Sequence, residues 1–207
     1  MASLVLATRN PGKTREISEL LGDIDVTIRS LLELPKIPDV EEDGATLEEN
    51  AIKKAQHAHK YTGLPCLADD SGLEVYVLNM EPGVRSARYA GVRVTYADNN
   101  RKLIEALKDI PESKRTAQFR CVSAFVDRDQ TKIAEGICRG RIGFVEVGSG
   151  GFGYDPLFIP DGFDMTFAQL DAGTKNSISH RGMALREMRG FLESYFRGKD
   201  KEHTSPL

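Results

Sequence analysis

Residues 4–16 of the chain, Leu-Val-Leu-Ala-Thr-Arg-Asn-Pro-Gly-Lys-Thr-Arg-Glu, predict a β-strand, a tight polar loop and the start of an α-helix. A glycine turn and a lysine at a helix start favour phosphate binding, because backbone N–H groups, the positive end of the helix dipole and a cation meet there. A P-loop would need its first glycine at residue 7, where the chain has Ala7. The segment therefore indicates a phosphate-bearing ligand and argues against an ordinary P-loop ATPase, although a βα turn without function would also explain Pro11 and Gly12.

The size and composition of the chain are those of a globular protein. Its 207 residues suffice for one large domain or two fused lobes, and 40% are hydrophobic and 29% charged. The net charge of −3 predicts no general affinity for nucleic acid or an anionic membrane. Three cysteines without Cys-x-x-Cys spacing favour buried reduced thiols. No secretory signal or membrane-spanning run is recognisable, so we expect a cytoplasmic protein.

The order of the predicted elements indicates an α/β fold with a mixed sheet instead of a regular βαβ series. Predicted helices cover residues 13–21, 47–61, 95–108 and 179–196, the second of them opened by a capping box at Thr46 and Glu49. Predicted strands cover residues 4–6, 26–28, 65–68, 73–77, 116–126, 132–147 and 157–159, with a hairpin at 127–130. Residues 83–91 are expected to form a surface loop, and residues 199–207 a frayed tail.

Two acidic pairs are candidates for binding a divalent cation. Asp69 and Asp70 follow a short apolar strand, and Glu41 and Glu42 lie in the loop before the second helix. Hard cations take carboxylate oxygens from separate segments and keep positions for phosphate and water. For Glu41 and Glu42, a solvated acidic turn without function is as good an interpretation as metal binding. For Asp69 and Asp70 that alternative is weaker, because burying two carboxylates at a strand end is costly without a partner.

Lysines and a glycine-rich loop provide further candidates for binding. Lys54 falls on the inward side of its helix, although a single lysine is more often a surface residue. Phe152 and Tyr154, in the loop 150–155, could stack on a flat ligand, and Asp155 could accept hydrogen bonds from ring N–H groups. The alternative for this loop is a turn with Phe152 in the core. Near the last helix, further donors could bind ring carbonyl oxygens or phosphate: Lys175, His180 and Arg181.

Five motifs together resemble the inosine triphosphate pyrophosphatase family. They are Ala-Thr-Arg-Asn-Pro-Gly-Lys at 7–13, Glu-Asn-Ala-Ile-Lys-Lys-Ala at 49–55, Ala-Asp-Asp-Ser-Gly-Leu at 68–73, Gly-Gly-Phe-Gly-Tyr-Asp-Pro at 150–156 and Ser-His-Arg-Gly-x-Ala-Leu at 179–185. They occur in the family's order and cover the chain from residue 4 to about residue 196. Asp43 and Leu47 depart from residues common in the family, but neither is a proposed ligand.

The resemblance implies a role for each candidate residue. On the phosphate side, the triphosphate would be held by Thr8, Arg9, Asn10, Pro11, Gly12 and Lys13. Asp70 would bind Mg²⁺ and accept the proton of the attacking water, with Asp69 and Lys54 as catalytic partners. Glu42, or less favourably Glu41, would complete the metal site. Ser71 would contact the substrate. The purine base would be surrounded by Phe152, Gly153, Tyr154, Asp155, Lys175, His180 and Arg181.

The resemblance also implies a fold and a reaction. The fold would be an elongated α/β structure of two lobes, residues 1–198, around a long mixed sheet with flanking helices and the active site in the cleft between the lobes. The enzyme, usually a homodimer, would hydrolyse ITP, dITP and XTP to the monophosphate and pyrophosphate and so cleanse the nucleotide pool. Two alternatives stay open: a Maf-type pyrophosphatase of other modified nucleotides, and a non-catalytic nucleotide sensor.

Overall fold

In the computed structural model, which describes residues 2–34 and 36–202, the described chain forms six strands and five α-helices. The strands are β1 (Ser3–Leu6), β2 (Thr27–Ser30), β3 (Cys66–Val75), β4 (Thr116–Val126), β5 (Thr131–Ile142) and β6 (Phe158–Pro160). The helices are α1 (Pro11–Leu21), α2 (Leu47–Thr62), α3 (Tyr96–Ala106), α4 (Ala172–Ile178) and α5 (His180–Glu202). The strands form one sheet in the order β2-β1-β3-β4-β5-β6.

The sheet is mixed, as the sequence predicts. Strand β1 runs parallel to β2 and to β3, whereas β5 and β6 are antiparallel. A connection of only four residues, 127–130, joins β4 to β5, and so short a link allows only an antiparallel pair. Asp127 Oδ1 accepts hydrogen bonds from the N–H groups of Asp129 at 3.0 Å and Gln130 at 2.9 Å. The predicted α/β class and the hairpin at 127–130 are therefore confirmed.

Strand β3 differs from its prediction. The sequence predicts two short strands separated at residues 69–72, but the structure has one continuous strand, Cys66–Val75. Its parallel pairing with β1 covers only Cys66 and Leu67, because β1 ends at Leu6. Asp69 and Asp70 therefore lie within β3, beyond the end of its neighbour β1, and not at a strand end as predicted. The polar residues continue the strand because the sheet extends past β1.

The chain divides into two compact units, each with its own hydrophobic core. The first unit comprises the described residues up to Asp70, Val122–Glu135 and those from Met183 onward; the second comprises Ser71–Cys121 and Gly136–Gly182. In the first core, α1 and α5 contribute buried residues together with β1, β3, β4 and β5: Leu4, Leu6, Ile17, Leu21, Leu67, Phe125, Ala134, Leu185, Met188, Leu192 and Phe196. The second core includes Leu73, Leu103, Ala117, Phe119, Tyr154, Leu157, Phe158 and Phe167.

The helices begin close to the predicted positions, with two differences at the C-terminal end. Helix α4 was not predicted, although its N-cap is visible in the sequence: Asp171 Oδ1 accepts from the Thr174 N–H at 2.9 Å. Helix α5 continues to Glu202, beyond the predicted end at Phe196. Of the tail predicted to fray, residues 203–207 lie outside the described part of the chain. No helix in the described part is long and apolar enough to cross a membrane.

Candidate active site

In the loop between β1 and α1, side-chain oxygens accept hydrogen bonds from backbone N–H groups of the same segment. Asn10 is the N-cap of α1, and its Oδ1 accepts from the N–H groups of Gly12 at 2.9 Å and Lys13 at 3.2 Å. The Asn10 N–H donates to Thr8 Oγ1 at 3.2 Å, and Pro11 has no N–H to offer. Two backbone N–H groups at the start of α1 are therefore already bonded within the loop. Contact between this loop and a phosphate stays a prediction.

Lys13 connects this loop to β3. Its Nζ lies 3.0 Å from Asp69 Oδ2 and 3.5 Å from the Asp69 carbonyl oxygen. Asp69 is 2% exposed, and burying a carboxylate is costly unless a cation such as Lys13 accompanies it. The sequence placed both residues at the site, and the structure brings them together.

Helix α2 presents two polar side chains, one turn apart, to Asp70. Lys54 Nζ lies 2.6 Å from Asp70 Oδ1 and 3.4 Å from Glu42 Oε2. Asn50 Nδ2 donates to Asp70 Oδ2 at 3.4 Å, and Asn50 Oδ1 accepts from the Gly44 N–H at 2.8 Å. Asn50 was not among the predicted site residues. Its spacing of four residues from Lys54 was the available signal, because residues i and i+4 share a helix face.

Burial and neighbouring charges set the ionisation of this cluster. Burial raises the pKa of Asp70, and the Glu42 carboxylate adds to the rise although Lys54 and Lys13 oppose it. Burial also acts to raise the pKa of Glu42, but Lys54, Lys13 and a hydrogen bond with Asp70 outweigh it and the pKa is lowered. Burial acts to lower the pKa of Lys54, and Asp70, Glu42 and Asp69 raise it overall. The pKa of Asp70 is thus shifted upward and that of Glu42 downward, and the upward shift is the direction that favours a proton acceptor at Asp70.

The donor set suits a hard cation that arrives with a phosphate ligand. Glu42 and Asp70 come from separate segments and converge on Lys54, while Glu41 is exposed. Within the described residues, no group of three His, Cys, Asp or Glu side chains is assembled as a metal centre. Mg²⁺ is usually bound through one or two carboxylates plus substrate phosphates and water, so two carboxylates fit it and an all-protein cage is not needed.

In the second unit, the glycine-rich loop is organised by a buried carboxylate. Asp155 is 3% exposed, and its Oδ2 accepts from the Phe152 N–H at 2.8 Å and from Lys175 Nζ at 2.6 Å. Gly151 has φ +69°, and a Cβ there would lie 2.0 Å from Asp155 Oδ2, so only glycine fits. This carboxylate therefore fixes Phe152 and Lys175, and its contact with ring N–H groups stays a prediction.

The Phe152 ring is flanked by cations. Lys175 Nζ lies 5.1 Å and Arg181 Cζ 5.6 Å from the ring centre. Arg181 Nη2 also donates to Ser71 Oγ at 3.1 Å. The ring centre of Tyr96, which is not among the predicted site residues, lies 6.2 Å from that of Phe152. Phe152 and the donors of Lys175 and Arg181 are thus close enough together for one flat ligand to contact the aromatic ring and to have its carbonyl oxygens bonded by N–H groups.

Two other predicted residues are buried in the second unit. His180 is 4% exposed and stacks on Phe119, with ring centres 4.6 Å apart. Tyr154 is also 4% exposed and packs in the second core, where its hydroxyl donates to the Ser86 carbonyl at 2.9 Å. The Tyr154 side chain is therefore packed in this core, and its contact with the base stays a prediction. Sequence spacing could not distinguish the two aromatic residues of this loop.

Comparison with known proteins agrees with the site and the fold. A model of the Ham1 family matches residues 4–191. The chain belongs to the Ham1 family. It is 48% identical over 194 residues to a curated dITP/XTP pyrophosphatase of Desulforamulus reducens, covering 93% of this chain and 96% of the relative. A curated dITP/XTP pyrophosphatase of Coxiella burnetii is 44% identical over 199 residues, covering 95% and 99% of the two chains.

Solved structures of the Ham1 family have the same fold. The structure of a HAM1 protein from Coxiella burnetii matches with a TM-score of 0.85 and 44% identity, and the match covers 94% of this chain and 100% of that protein. The Ham1 protein of Staphylococcus aureus matches with a TM-score of 0.82 and 41% identity, covering 93% and 99%. The family and the α/β fold inferred from five motifs are therefore confirmed.

Proposed function

We propose that this chain hydrolyses non-standard purine nucleoside triphosphates, namely ITP, dITP and XTP, to the nucleoside monophosphate and pyrophosphate. One observation carries the chemistry: buried Lys54 lies between Asp70 and Glu42, with the Lys13–Asp69 pair in the same unit. Such a set suits a metal-bound polyphosphate and a water that must lose a proton. The substrate class is supported by the relatives, which are named dITP/XTP pyrophosphatases. The cellular role would be the removal of these nucleotides from the nucleotide pool.

The phosphate side of the proposed site is built from side chains of the first unit. Thr8, Asn10 and Lys13 would contact the triphosphate, while Pro11 and Gly12 set the start of α1 that presents them. Asp69 holds Lys13 in place through the 3.0 Å ion pair. Lys54 would supply positive charge to the phosphates as negative charge grows on the departing pyrophosphate.

The reaction needs one proton acceptor and one attacking water. Glu42 and Asp70 would hold Mg²⁺, which would neutralise phosphate charge. Asp70 would take the proton of the water whose oxygen forms a bond to the α-phosphorus. The bond from that phosphorus to the bridging oxygen breaks, and pyrophosphate leaves with its electron pair. The raised pKa of Asp70 favours this role, because a base works best when its pKa approaches the working pH.

The base side would select a 6-oxo purine. Phe152 would stack on the ring, with the neighbouring Gly153, at φ +64°, allowing close approach of the backbone. Donors from Lys175, His180 and Arg181 would meet the carbonyl oxygen, with Ser71 contacting the substrate. The 6-amino group of ATP would leave those donors unpaired, at about 1–3 kcal/mol for each. This contribution, and not phosphate binding, would separate dITP from ATP.

We also propose a homodimer and a cytoplasmic location. All three cysteines are buried thiols, as expected of a protein in a reducing compartment.

Sedimentation equilibrium across a range of protein concentrations tests the proposed homodimer. The mass of a monomer at every concentration would contradict it.

A substrate panel tests the proposed activity. Purified protein with Mg²⁺ should release pyrophosphate from dITP, ITP and XTP, and at least about tenfold less efficiently from ATP, one stranded donor being worth about that factor. Pyrimidine triphosphates and GTP serve as comparisons. Preference for modified pyrimidines would favour the Maf-type alternative. Tight binding of dITP without pyrophosphate release would favour a sensor.

A further inference from the structure

Arg9 is one of the residues predicted to hold the triphosphate, yet its guanidinium nitrogens bond to another segment of the chain. Its guanidinium holds the stretch that carries Glu42, residues 31–43, which we call the Glu42 segment. Nη1 donates to the Leu31 carbonyl at 2.7 Å, Nη2 donates to the Ile37 carbonyl, and Nε donates to Asp39 Oδ1 at 2.8 Å. Three nitrogens of one side chain are thus bonded to three points of this segment, two of them backbone carbonyls.

Helix α2 holds the other part of the Glu42 segment. His57 Nε2 lies 2.8 Å from the Pro38 carbonyl, Lys53 pairs with Asp43, and Lys54 Nζ lies 3.4 Å from Glu42 Oε2. The position of Glu42 is therefore set from two sides, by α2 and by the β1–α1 loop. On the loop side the connection is made by Arg9.

We propose that Arg9 is a positioning residue that fastens the Glu42 segment to the β1–α1 loop and so sets the place of the Glu42 carboxylate, without touching the phosphates itself. This inference rests on the proposed function, in which Glu42 helps to hold Mg²⁺. Three of the five N–H donors of the guanidinium are already bonded to two carbonyls and the Asp39 carboxylate. Through Arg9, the loop that offers Lys13 and the segment that offers Glu42 are held as one piece.

The role depends on shape and not on charge. The planar guanidinium places several N–H groups in fixed directions, whereas a lysine ammonium is a single point on a flexible stem. Arg9→Lys therefore keeps the charge but cannot reach all three acceptors. A positioning role predicts that Arg9→Lys and Arg9→Met behave alike. A charge contact with phosphate predicts that lysine preserves function.

Amide hydrogen exchange tests the fastening without substrate or metal. In both Arg9 variants, exchange in residues 31–43 should become about tenfold faster, because each lost hydrogen bond weakens local protection by up to that factor. The rest of the chain should exchange as in the wild type. Arg15→Met, which removes an equal charge from an exposed position of α1, should change nothing. Unchanged exchange in residues 31–43, or faster exchange throughout the chain, would overturn the proposal.

Kinetics test the consequence for the site. The Mg²⁺ concentration for half-maximal activity should rise about tenfold in both Arg9 variants, as for other residues that orient metal ligands, while KM for dITP at saturating Mg²⁺ stays within about twofold. Asp39→Ala removes only the exposed ion pair and should change either value by less than about twofold. A raised KM in Arg9→Met that Arg9→Lys restores would show a direct phosphate contact instead. If wild-type protein released no pyrophosphate, the proposed function would fail, whereas the hydrogen exchange result would still decide the role of Arg9.

Discussion

Replacing Lys54 by methionine tests the central charge cluster. The substitution keeps most of the side-chain volume but removes the ammonium that lies 2.6 Å from Asp70 Oδ1 and 3.4 Å from Glu42 Oε2. The carboxylates of Asp70 and Glu42 then lie in a partly buried site without the positive charge that lay close to both. Breaking a buried ion pair from one side costs about 3–5 kcal/mol, and because Glu42 is partly exposed we expect the lower end, about 3 kcal/mol. For a chain of this size that corresponds to a fall in Tm of roughly 6–12 °C.

The neighbouring residue provides the matched control. Lys53 pairs with Asp43 at the surface, where both side chains are largely exposed, so Lys53→Met should cost about 0–1 kcal/mol. Unfolding in urea, with the metal removed by chelation, measures both variants. A double-mutant cycle of Lys54→Met with Asp70→Asn should give a coupling energy of about 1–3 kcal/mol, since the second change removes the unpaired charge. Equal losses at residues 53 and 54, or no coupling, would refute the reasoning.

Three further predictions concern catalysis, thiols and the glycine-rich loop. Asp70→Asn should lower kcat for dITP by about 10²–10⁴-fold with little change in the circular dichroism spectrum; a rate near that of the wild type would contradict the role as proton acceptor. Burial raises the pKa of Cys66 to about 11 and of Cys138 to about 12, so the folded chain keeps protons that the unfolded chain loses. Stability should therefore fall as the pH rises above about 9, and a thiol reagent at pH 8 should react only after unfolding. Gly151→Ala places a Cβ against the Asp155 carboxylate at positive φ and should weaken dITP binding, as calorimetry would show. Gly190→Ala, on the open face of α5, should leave dITP binding unchanged and leave the free energy of unfolding unchanged or raise it by about 0.5–1 kcal/mol. Equal effects of the two variants on dITP binding would contradict the close contact at Gly151.

Local sequence signals predicted most of the fold. The strand β4 was placed at its observed bounds, 116–126, and α2 within one residue, because a β-rich run and a capping threonine are local features. The continuity of β3 was missed because it depends on a partner: the strand extends where its neighbour β1 has already ended. Helix α4 was missed because seven residues are too few to show a helical period.

The candidate residues were found more readily than their contacts. The sequence selected Lys13, Asp69 and Lys54, and the structure brings each to a partner of opposite charge. It also selected Arg9 and Tyr154, whose partners, the Ile37 and Ser86 carbonyls, are backbone atoms distant in the chain. Side-chain chemistry can be inferred from residue type, but which donor is already occupied depends on where other backbone segments pass.

The Asn10 cap distinguishes this loop from a P-loop in a further respect. Because Asn10 Oδ1 already accepts from the backbone at the start of α1, the loop has its shape before any ligand arrives. A ligand that binds to this loop therefore does not have to order it. The entropic cost of fixing a flexible residue, about 1–2 kcal/mol each, does not reduce the binding free energy. Ala7→Gly would supply the missing glycine of a P-loop without producing one, since the helix start would remain capped. A P-loop offers its backbone N–H groups to a phosphate, whereas those of Gly12 and Lys13 are bonded to Asn10, so the glycine alone would not convert one loop into the other.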